Sequence, residues 1–451
     1  MSSPSPDADA GAPQSSDVRL VVASSVVGTT VEWYDFFLYG LAAGVVFNHL
    51  FFPADDPVVG TLLAFTTFAL GFVARPIGGL IFGHIGDRVG RKKTLVATMM
   101  IMGVLTCLIG LVPTYDSIGV LAPILLVILR LAQGVAIGGE WGGAVLMAVE
   151  YSPTNRRGLY GSYPQIGLAL GLVLGTTVFA VLGAALTDEA FLAWGWRIAF
   201  LLSAVLVVVG MVIRLKIIDT PAFRKLESAE QKATVPAAEM LRIPAGRRNL
   251  VLGMAARLAE GTAFNAWAVF VLSYGTQTLD LDRQDLLLAV LLAAIVMTVV
   301  IPLCGRLSDT WGRRRTYAVG VVLTAVMALP AFAALENGSM VWIVLALVGV
   351  LGLAYPVMYG PEAAFFAELF PPAVRCTGIS VVYQLSGVVA SGIAPLVLAY
   401  LVAVAGGGVG LVLAYLGVTS VISVAGTLLV RRRDMHLDDA GAESAVTVRP
   451  G

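Results

Sequence analysis

Gly83-His84-Ile85-Gly86-Asp87-Arg88-Val89-Gly90-Arg91-Lys92-Lys93 is a short polar stretch set between two apolar segments that are too long for any soluble core. Gly305-Arg306-Leu307-Ser308-Asp309-Thr310-Trp311-Gly312-Arg313-Arg314-Arg315 brings back the glycine, the aspartate, the second glycine and the basic run, 222 positions on from Asp87 to Asp309. Glycines let the backbone reverse tightly, the aspartate is placed to cap the next helix, and the basic run stops at a membrane surface. One copy alone would pass as a solvated turn. Two copies half a chain apart argue for an internal repeat.

The composition supports a chain that lives in lipid. Of 451 residues, 58% are hydrophobic and only 13% charged, and the mean hydropathy of +0.87 excludes an ordinary water-soluble protein of this size. Formal net charge is zero, so the distribution of charge informs and the total does not. Cys107, Cys304 and Cys376 are isolated in sequence and suggest neither a disulfide framework nor a zinc cluster. Residues 1–18 lack the basic n-region of a cleavable signal peptide, so the first span is expected to remain as an anchor.

Apolar windows of about 20 residues mark helices able to cross a hydrocarbon core about 30 Å thick. Twelve are read, at 20–47, 57–85, 94–113, 118–148, 160–185, 193–215, 249–274, 285–306, 316–335, 340–367, 377–402 and 408–430. Unpaired backbone groups are too costly in lipid for anything but helix here. The fold class expected is therefore an all-α polytopic membrane protein, with twelve transmembrane helices in two pseudo-symmetric six-helix bundles. An N-terminal tail at 1–19 precedes a bundle at 20–215, and the polar segment 216–248 divides it from a second bundle at 249–430 and a tail at 431–451. Lys and Arg fall almost entirely in the loops after spans 2, 4, 6, 8 and 10 and in the tails, whereas the alternate loops carry Asp55, Asp56, Asp116, Asp188, Glu189, Asp280, Asp282, Asp285 and Glu336. By the positive-inside rule both termini are expected in the cytoplasm.

A second repeated element points the same way. Glu150 precedes Arg157 by the same spacing as Glu368 precedes Arg375, and Glu150 and Glu368 lie 218 positions apart. Two unrelated motifs with nearly one displacement fit two bundles rocking about a central site. Asp87, Arg91, Glu150, Arg157, Asp309, Arg313, Glu368 and Arg375 are expected to form ion clusters that close the bundles on the cytoplasmic side in one state. The alternative is that they are topology signals alone.

Ionisable groups inside a span are expensive and usually face a cavity or a partner. Span 1 carries Glu32 and Asp35, which share a helical face with Tyr39 by spacings of three and four. Span 2 carries Arg75 before Pro76, and span 4 carries Arg130, Gln133 and Glu140 among glycines that let a neighbouring helix approach. Span 7 holds Arg257, Glu260 and Asn265, and span 10 holds Glu362 with Tyr355 and Tyr359. Asp35, Arg75, Arg130 and Arg257 all reach the middle of the bilayer at about 1.5 Å per residue, the depth of a substrate site. A guanidinium stays protonated and needs an anion, either a side-chain carboxylate or the cargo. Asp35–Arg130 and Arg257–Glu260 therefore read either as structural ion pairs or as parts of a coupling site. Trp141, Gln165, Tyr359 and Gln384 are candidate walls and hydrogen-bond partners.

The runs Glu32-Trp33-Tyr34-Asp35-Phe36, Ala74-Arg75-Pro76-Ile77-Gly78-Gly79, Gly83–Lys93, Arg130-Leu131-Ala132-Gln133-Gly134, Gly138-Gly139-Glu140-Trp141-Gly142, Trp194-Gly195-Trp196-Arg197 and Asp219-Thr220-Pro221-Ala222-Phe223 together resemble the metabolite:proton symporter family of the major facilitator superfamily. The Gly-Glu-Trp-Gly-Gly run and Asn48–Pro53 most resemble its shikimate-type members. The resemblance implies a proton-coupled importer of a small polar, carboxylated metabolite in a bacterial inner membrane, working as a monomer with its solute, protons and lipid as partners. No cofactor, metal or nucleic acid is expected. The mechanism expected couples protons through Asp35, Glu32 and Arg130, with Asp35 paired to Arg130 in the outward-facing state until a proton from outside neutralises it. Substrate contacts are expected from Arg75, Arg130, Gln133, Tyr39, Glu140, Trp141, Gln165, Arg257, Glu260, Asn265, Tyr359 and Gln384.

An enzyme is excluded by the want of a nucleophile elbow, a His-Glu-x-x-His helix, a Walker loop or a soluble segment long enough for a catalytic domain. An uncoupled facilitator, an exporter, a nutrient sensor and a symporter of zwitterions such as betaine or proline remain as alternatives, since one scaffold hosts them all. The chain runs only from 431 to 451 beyond span 12, which is expected to leave no room for the long coiled coil of an osmosensory carrier.

Overall fold

The structure, a computed structural model, describes residues 15–53, 57–89, 91–138, 141–150, 152–215, 242, 244–371 and 375–436. All regular structure among them is helical. Twelve rods follow one another: α1 (15–50), α2 (Pro57–Val89), α3 (Arg91–Leu111), α4 (Leu121–Ile137, resumed at Trp141–Glu150), α5 (Arg157–Ala185), α6 (188–215), α7 (244–277), α8 (Arg283–Trp311), α9 (Arg313–Asn337), α10 (Met340–Ala367), α11 (375–404) and α12 (Gly410–Leu429). Nine of these are long and apolar enough on their own to cross a membrane. The other three are α1, α3 and α7. Two of them, α1 and α7, are diluted by the buried charges Glu32, Asp35, Arg257 and Glu260.

The repeat is visible in the packing. In the first half α1 lies on α5 and α6, α2 on α4, and α3 on α6; in the second half α7 lies on α11 and α12, α8 on α10, and α9 on α12. A wide π turn interrupts α1 at Ala43–Phe47 and α7 at Ala266–Phe270, at the same place in each repeat. The two bundles meet along α5 against α8 and along α2 against α11, themselves a symmetry-related pair. Leu80, Ile128, Val299, Val326 and Val421 are exposed on the outer faces, an apolar belt that lipid covers.

Small residues set the helix spacing around the charged centre. A Cβ at Gly78 would run into the Val135 carbonyl, and one at Gly138 into the Arg75 carbonyl. This close approach of α2 and α4 brings Arg75 and Arg130 into one layer.

The polar stretch that opened the sequence is mostly helix. α8 runs through Asp309 to Trp311, and only Gly312, at φ 92°, breaks it before α9 begins. A helix already formed in the membrane extends into water without losing its backbone bonds, and only a left-handed residue stops it. Asp309 is thus inside α8 and does not cap α9. In the first half the side chains of Asp87, Arg91 and Glu150 lie outside the described residues, and so do those of 83–95 generally. α7 starts at Pro244, earlier than hydropathy alone indicates, because its first turn is polar.

Candidate functional site

Three guanidiniums sit in the middle of the molecule, each nearly or wholly buried: Arg75 on α2, Arg130 on α4 and Arg257 on α7. Their surroundings differ. Arg75 lies over the rings of Phe72 and Phe36, 4.1 and 4.9 Å from the centroids, with Glu32 of α1 as its acidic neighbour. Arg257 has two carboxylates, Glu260 at 3.4 Å and Glu362 at 3.5 Å, and lies over the Tyr383 ring at 3.6 Å. Arg130 has none. Its Nη1 donates to Gln133 Oε1 at 2.5 Å, its guanidinium covers the Tyr39 ring at 4.1 Å, and its charged neighbour is Arg75. Among the described residues Nε of Arg75 and Nε of Arg130 meet no acceptor. A buried cation with spare donors is costly to maintain unless an anion visits it.

The expected Asp35–Arg130 pair is not formed. Asp35 is wholly buried and accepts from the Ser203 hydroxyl of α6, with Thr106 of α3 beside it. Arg130 turns instead to Gln133, whose Nε2 donates to Thr106 Oγ1 at 2.8 Å. The physical reason lies in the direction of the α1 side chains. Glu32, Asp35 and Tyr39 share a broad face, yet Asp35 points to α3 and α6 while Tyr39 donates to Thr67 of α2 at 2.7 Å beneath Arg130. Acid and base are therefore held apart: Arg130 bonds Gln133, Gln133 bonds Thr106, and the Thr106 hydroxyl, beside Asp35, donates to the Met102 carbonyl of its own helix at 2.9 Å.

The bundles are stitched together at this level. Trp141 of α4 stacks on Tyr383 of α11 with centroids 3.6 Å apart and planes 16° off parallel. Trp141 Nε1 also donates to Gln165 Oε1 at 3.3 Å, Gln165 Nε2 to the Tyr359 carbonyl at 3.4 Å, and Gln384 Nε2 to the Gly138 carbonyl at 2.9 Å. Asn265 donates to its own helix at Gly261 and, like Tyr359, keeps an oxygen that meets no partner among the described residues. Glu140 lies outside the described residues. Sequence reading passed over Ser203, Thr106, Tyr383 and Ser386. Each is a polar residue inside an apolar span, and Tyr383 stands next to Gln384, so the signal was present but not distinguishable from ordinary packing residues.

At the end bearing the basic loops, α8 grips α5 across the bundle boundary. Asp309 accepts from the backbone N–H of Gly158 at 2.8 Å and of Leu159 at 3.0 Å, satisfying two donors at the start of α5. Arg313 reaches Asp309 at 3.3 Å and Glu368 at 2.6 Å. Arg157 and Arg375 complete the cluster around Glu368. Burial pushes the Glu368 carboxyl up to about 7, against the pull of Arg313, Arg157 and Arg375, with Asp309 adding to the push. The folded protein thus holds this proton where the unfolded chain has lost it. Its contribution to stability is full below the ordinary carboxylate range and fades as pH rises to about 7, beyond which it is constant. Melting curves of purified protein are expected to show this decline, and Glu368→Gln to flatten that part of it. An unchanged pH profile in the variant would contradict the assignment.

At the opposite end a cavity of about 920 Å³ lies between α1, α5, α7 and α8, lined by Asn48, His49, Thr187, Gln277 and Gln284 among others. Thr61 bonds Gln277 at 3.1 Å and Arg283 pairs with Asp188 at 3.0 Å across its rim. In the second pair Asp188 is largely exposed, so the pair contributes little.

Comparison with known proteins agrees with this architecture. Residues 20–293 match the family described as "Sugar (and other) transporter", and residues 262–449 match "Major Facilitator Superfamily". The chain is 40% identical over 410 residues to the inner membrane metabolite transport protein YhjE of Escherichia coli, covering 90% of this chain and 92% of that one. It is 40% identical over 426 residues to the Escherichia coli shikimate transporter, covering 94% and 97%. It is 34% identical over 392 residues to the Escherichia coli proline/betaine transporter, covering 85% and 78%. Among solved structures, the proton:xylose symporter XylE bound to 6-bromo-6-deoxy-D-glucose superposes with a TM-score of 0.71 over 92% of this chain and 96% of that one, at 15% identity, a likeness of fold. With two six-helix halves, buried charge at their seam and relatives of this length and identity, the chain belongs to the major facilitator superfamily and is a membrane metabolite transporter.

Proposed function

We propose that this transporter is a proton-coupled symporter that brings a small polar, carboxylated metabolite into a bacterial cell across the inner membrane. The observation that carries the reading is Arg130, a buried guanidinium with a free Nε and no carboxylate partner among the described residues, with Gln133 and Thr106 set between it and the buried acid Asp35. Shikimate, proline and betaine, the solutes in the relatives' names, all carry a carboxylate. Arg130 and Arg75 are the groups that would take it, with Trp141, Gln165, Tyr359 and Gln384 shaping the seam.

In this scheme an ionised Asp35 draws the adjacent Thr106 hydroxyl away from the Met102 carbonyl and so steadies Gln133 against Arg130. A proton on Asp35 loosens that hold, Gln133 turns, and Arg130 is released to the cargo carboxylate. Orientation follows the charge of the loops: the Asp309 latch lies on the cytoplasmic side with both termini, and the polar cavity faces out. Rocking about α5–α8 and α2–α11 would exchange the two openings. The protein is proposed to work as a monomer.

One observation favours zwitterions as a second reading. The Trp141–Tyr383 stack could part to take a quaternary ammonium between two aromatic faces. Uptake into proteoliposomes with an inward proton gradient, offered shikimate, 2-oxoglutarate, citrate and glycine betaine in turn, separates these possibilities. Accumulation of one acid that a protonophore abolishes is expected. Uptake that ignores the protonophore would mark a facilitator, and glycine betaine alone would select the second reading.

A further inference from the structure

The buried charges inside the helices do not balance. Among the described residues, and apart from the Glu368–Arg375 cluster at the helix ends, Arg75, Arg130 and Arg257 stand against Glu32, Asp35, Glu260 and Glu362. The first bundle holds two of each. The second holds one guanidinium and two carboxylates, so the surplus acid is located there.

The geometry around Arg257 shows how one of these acids is left over. Glu260 Oε2 and Glu362 Oε1 approach the same atom, Arg257 Nε, at 3.4 and 3.5 Å. That nitrogen carries a single hydrogen. Nη1 of Arg257 is occupied by the Tyr383 carbonyl at 3.1 Å and the Ser386 hydroxyl at 3.3 Å. Glu260 has a second donor, the Tyr355 hydroxyl at 2.5 Å. Glu362 has none: among the described residues neither of its oxygens meets a hydrogen-bond donor, and its side chain is wholly buried. The groups facing it are Arg257 and Glu260 from α7, Tyr317 from α9, Tyr355 and Tyr359 from α10 and Tyr383 from α11. Arg257 is the one cation in that set. Two buried carboxylates that share one guanidinium nitrogen raise the cost of ionising each other, and the one without a second donor takes the proton first.

We propose that Glu260 and Glu362 share one proton against Arg257, so that α7 and α10 form a second proton-binding site, distinct from Asp35 in the first bundle. Glu260 is the ionised partner, held by Tyr355 and Arg257, and Glu362 is the neutral acid. Loading adds a proton from water to a Glu362 oxygen and unloading returns it, with no other bond changed. The role in transport rests on the symport reading: with Asp35 it supplies the two protons that a monoanionic cargo needs for net positive charge to move inward, driven by about 2.3 kcal/mol per charge per 100 mV. The existence of the site does not rest on it.

Infrared spectroscopy of the purified full chain, compared as wild type minus variant at a pH well above 7 where the Glu368 carboxyl is ionised, tests the site without any cargo. The wild type is expected to show a neutral carboxylic acid band that shifts in deuterium oxide. Glu362→Gln is expected to remove it, and Glu260→Gln to remove it as well, because Glu362 then becomes the sole counter-ion of Arg257 and ionises. Gel filtration identifies any variant that misfolds, and the other then carries the comparison. Absence of the band from the wild type, or its survival in either folded variant, would overturn the proposal. Asp35→Asn should leave this band in place, so a failure of the symport reading and a failure of the shared proton give different results.

Discussion

Asp35→Asn is expected to cut accumulation against a gradient steeply while leaving exchange of solute across the membrane. The substitution keeps the size of the side chain and its contact with the Ser203 hydroxyl, but removes the group that gains and loses a proton. With Asp35 neutral at all times, Thr106 and Gln133 are permanently released and Arg130 remains open to an anion. Each coupled proton supports about tenfold accumulation per pH unit of gradient, so the loss through this site is of that order. Counterflow in proteoliposomes without a gradient should continue at a rate near wild type. Undiminished uphill uptake by the variant would dismiss Asp35 as the coupling acid. Loss of counterflow as well would show that the residue holds the bundle together and does no more.

Arg257→Gln is expected to have the largest effect on stability. It strips the shared cation from Glu260 and Glu362 in a site with no exposure to solvent, and breaking a buried pair in this way costs about 3–5 kcal/mol. It also removes the ring contact with Tyr383, and with it a fixed neighbour for the Trp141 stack. The thermal midpoint of purified protein should fall clearly. Adding Glu260→Gln to the same chain should recover a large part of the loss, because it removes the carboxylate left without a cation. A midpoint equal to wild type in the single variant would mean that Arg257 is not the centre of this charge cluster.

Much of the architecture was legible in the sequence because lipid imposes simple rules. Length of apolar window, alternation of Lys and Arg between loops, and two motifs displaced by nearly the same interval each carry physical meaning without any knowledge of contacts. The helix count and the two halves follow from them. What hydropathy missed were continuities: α8 runs through Asp309 to Trp311 because a helix once started needs a residue such as Gly312 to end it. For the same reason the function of Asp309 was misplaced. It satisfies the start of α5 in the other half of the molecule, a long-range partner that no local spacing discloses.

The site was legible as a set of residues and not as a set of pairs. Intramembrane charges are few, so Asp35, Arg75, Arg130, Arg257 and Glu260 could be named one by one. Which acid meets which base depends on helix rotation, and α1 is turned so that Tyr39 lies under Arg130 while Asp35 meets Ser203. Ser203 and Thr106 look like any small polar residue in a span until that rotation is known. Arg257–Glu260, at a spacing of three on one helix, was legible because both partners share α7.

The most direct measurement uses proteoliposomes loaded with a pH-sensitive dye and given an external solute that the chain accumulates. Interior acidification is expected to begin with solute entry, to scale with it and to fall per solute carried in Asp35→Asn. Solute arriving with no acidification in the wild type would contradict proton coupling.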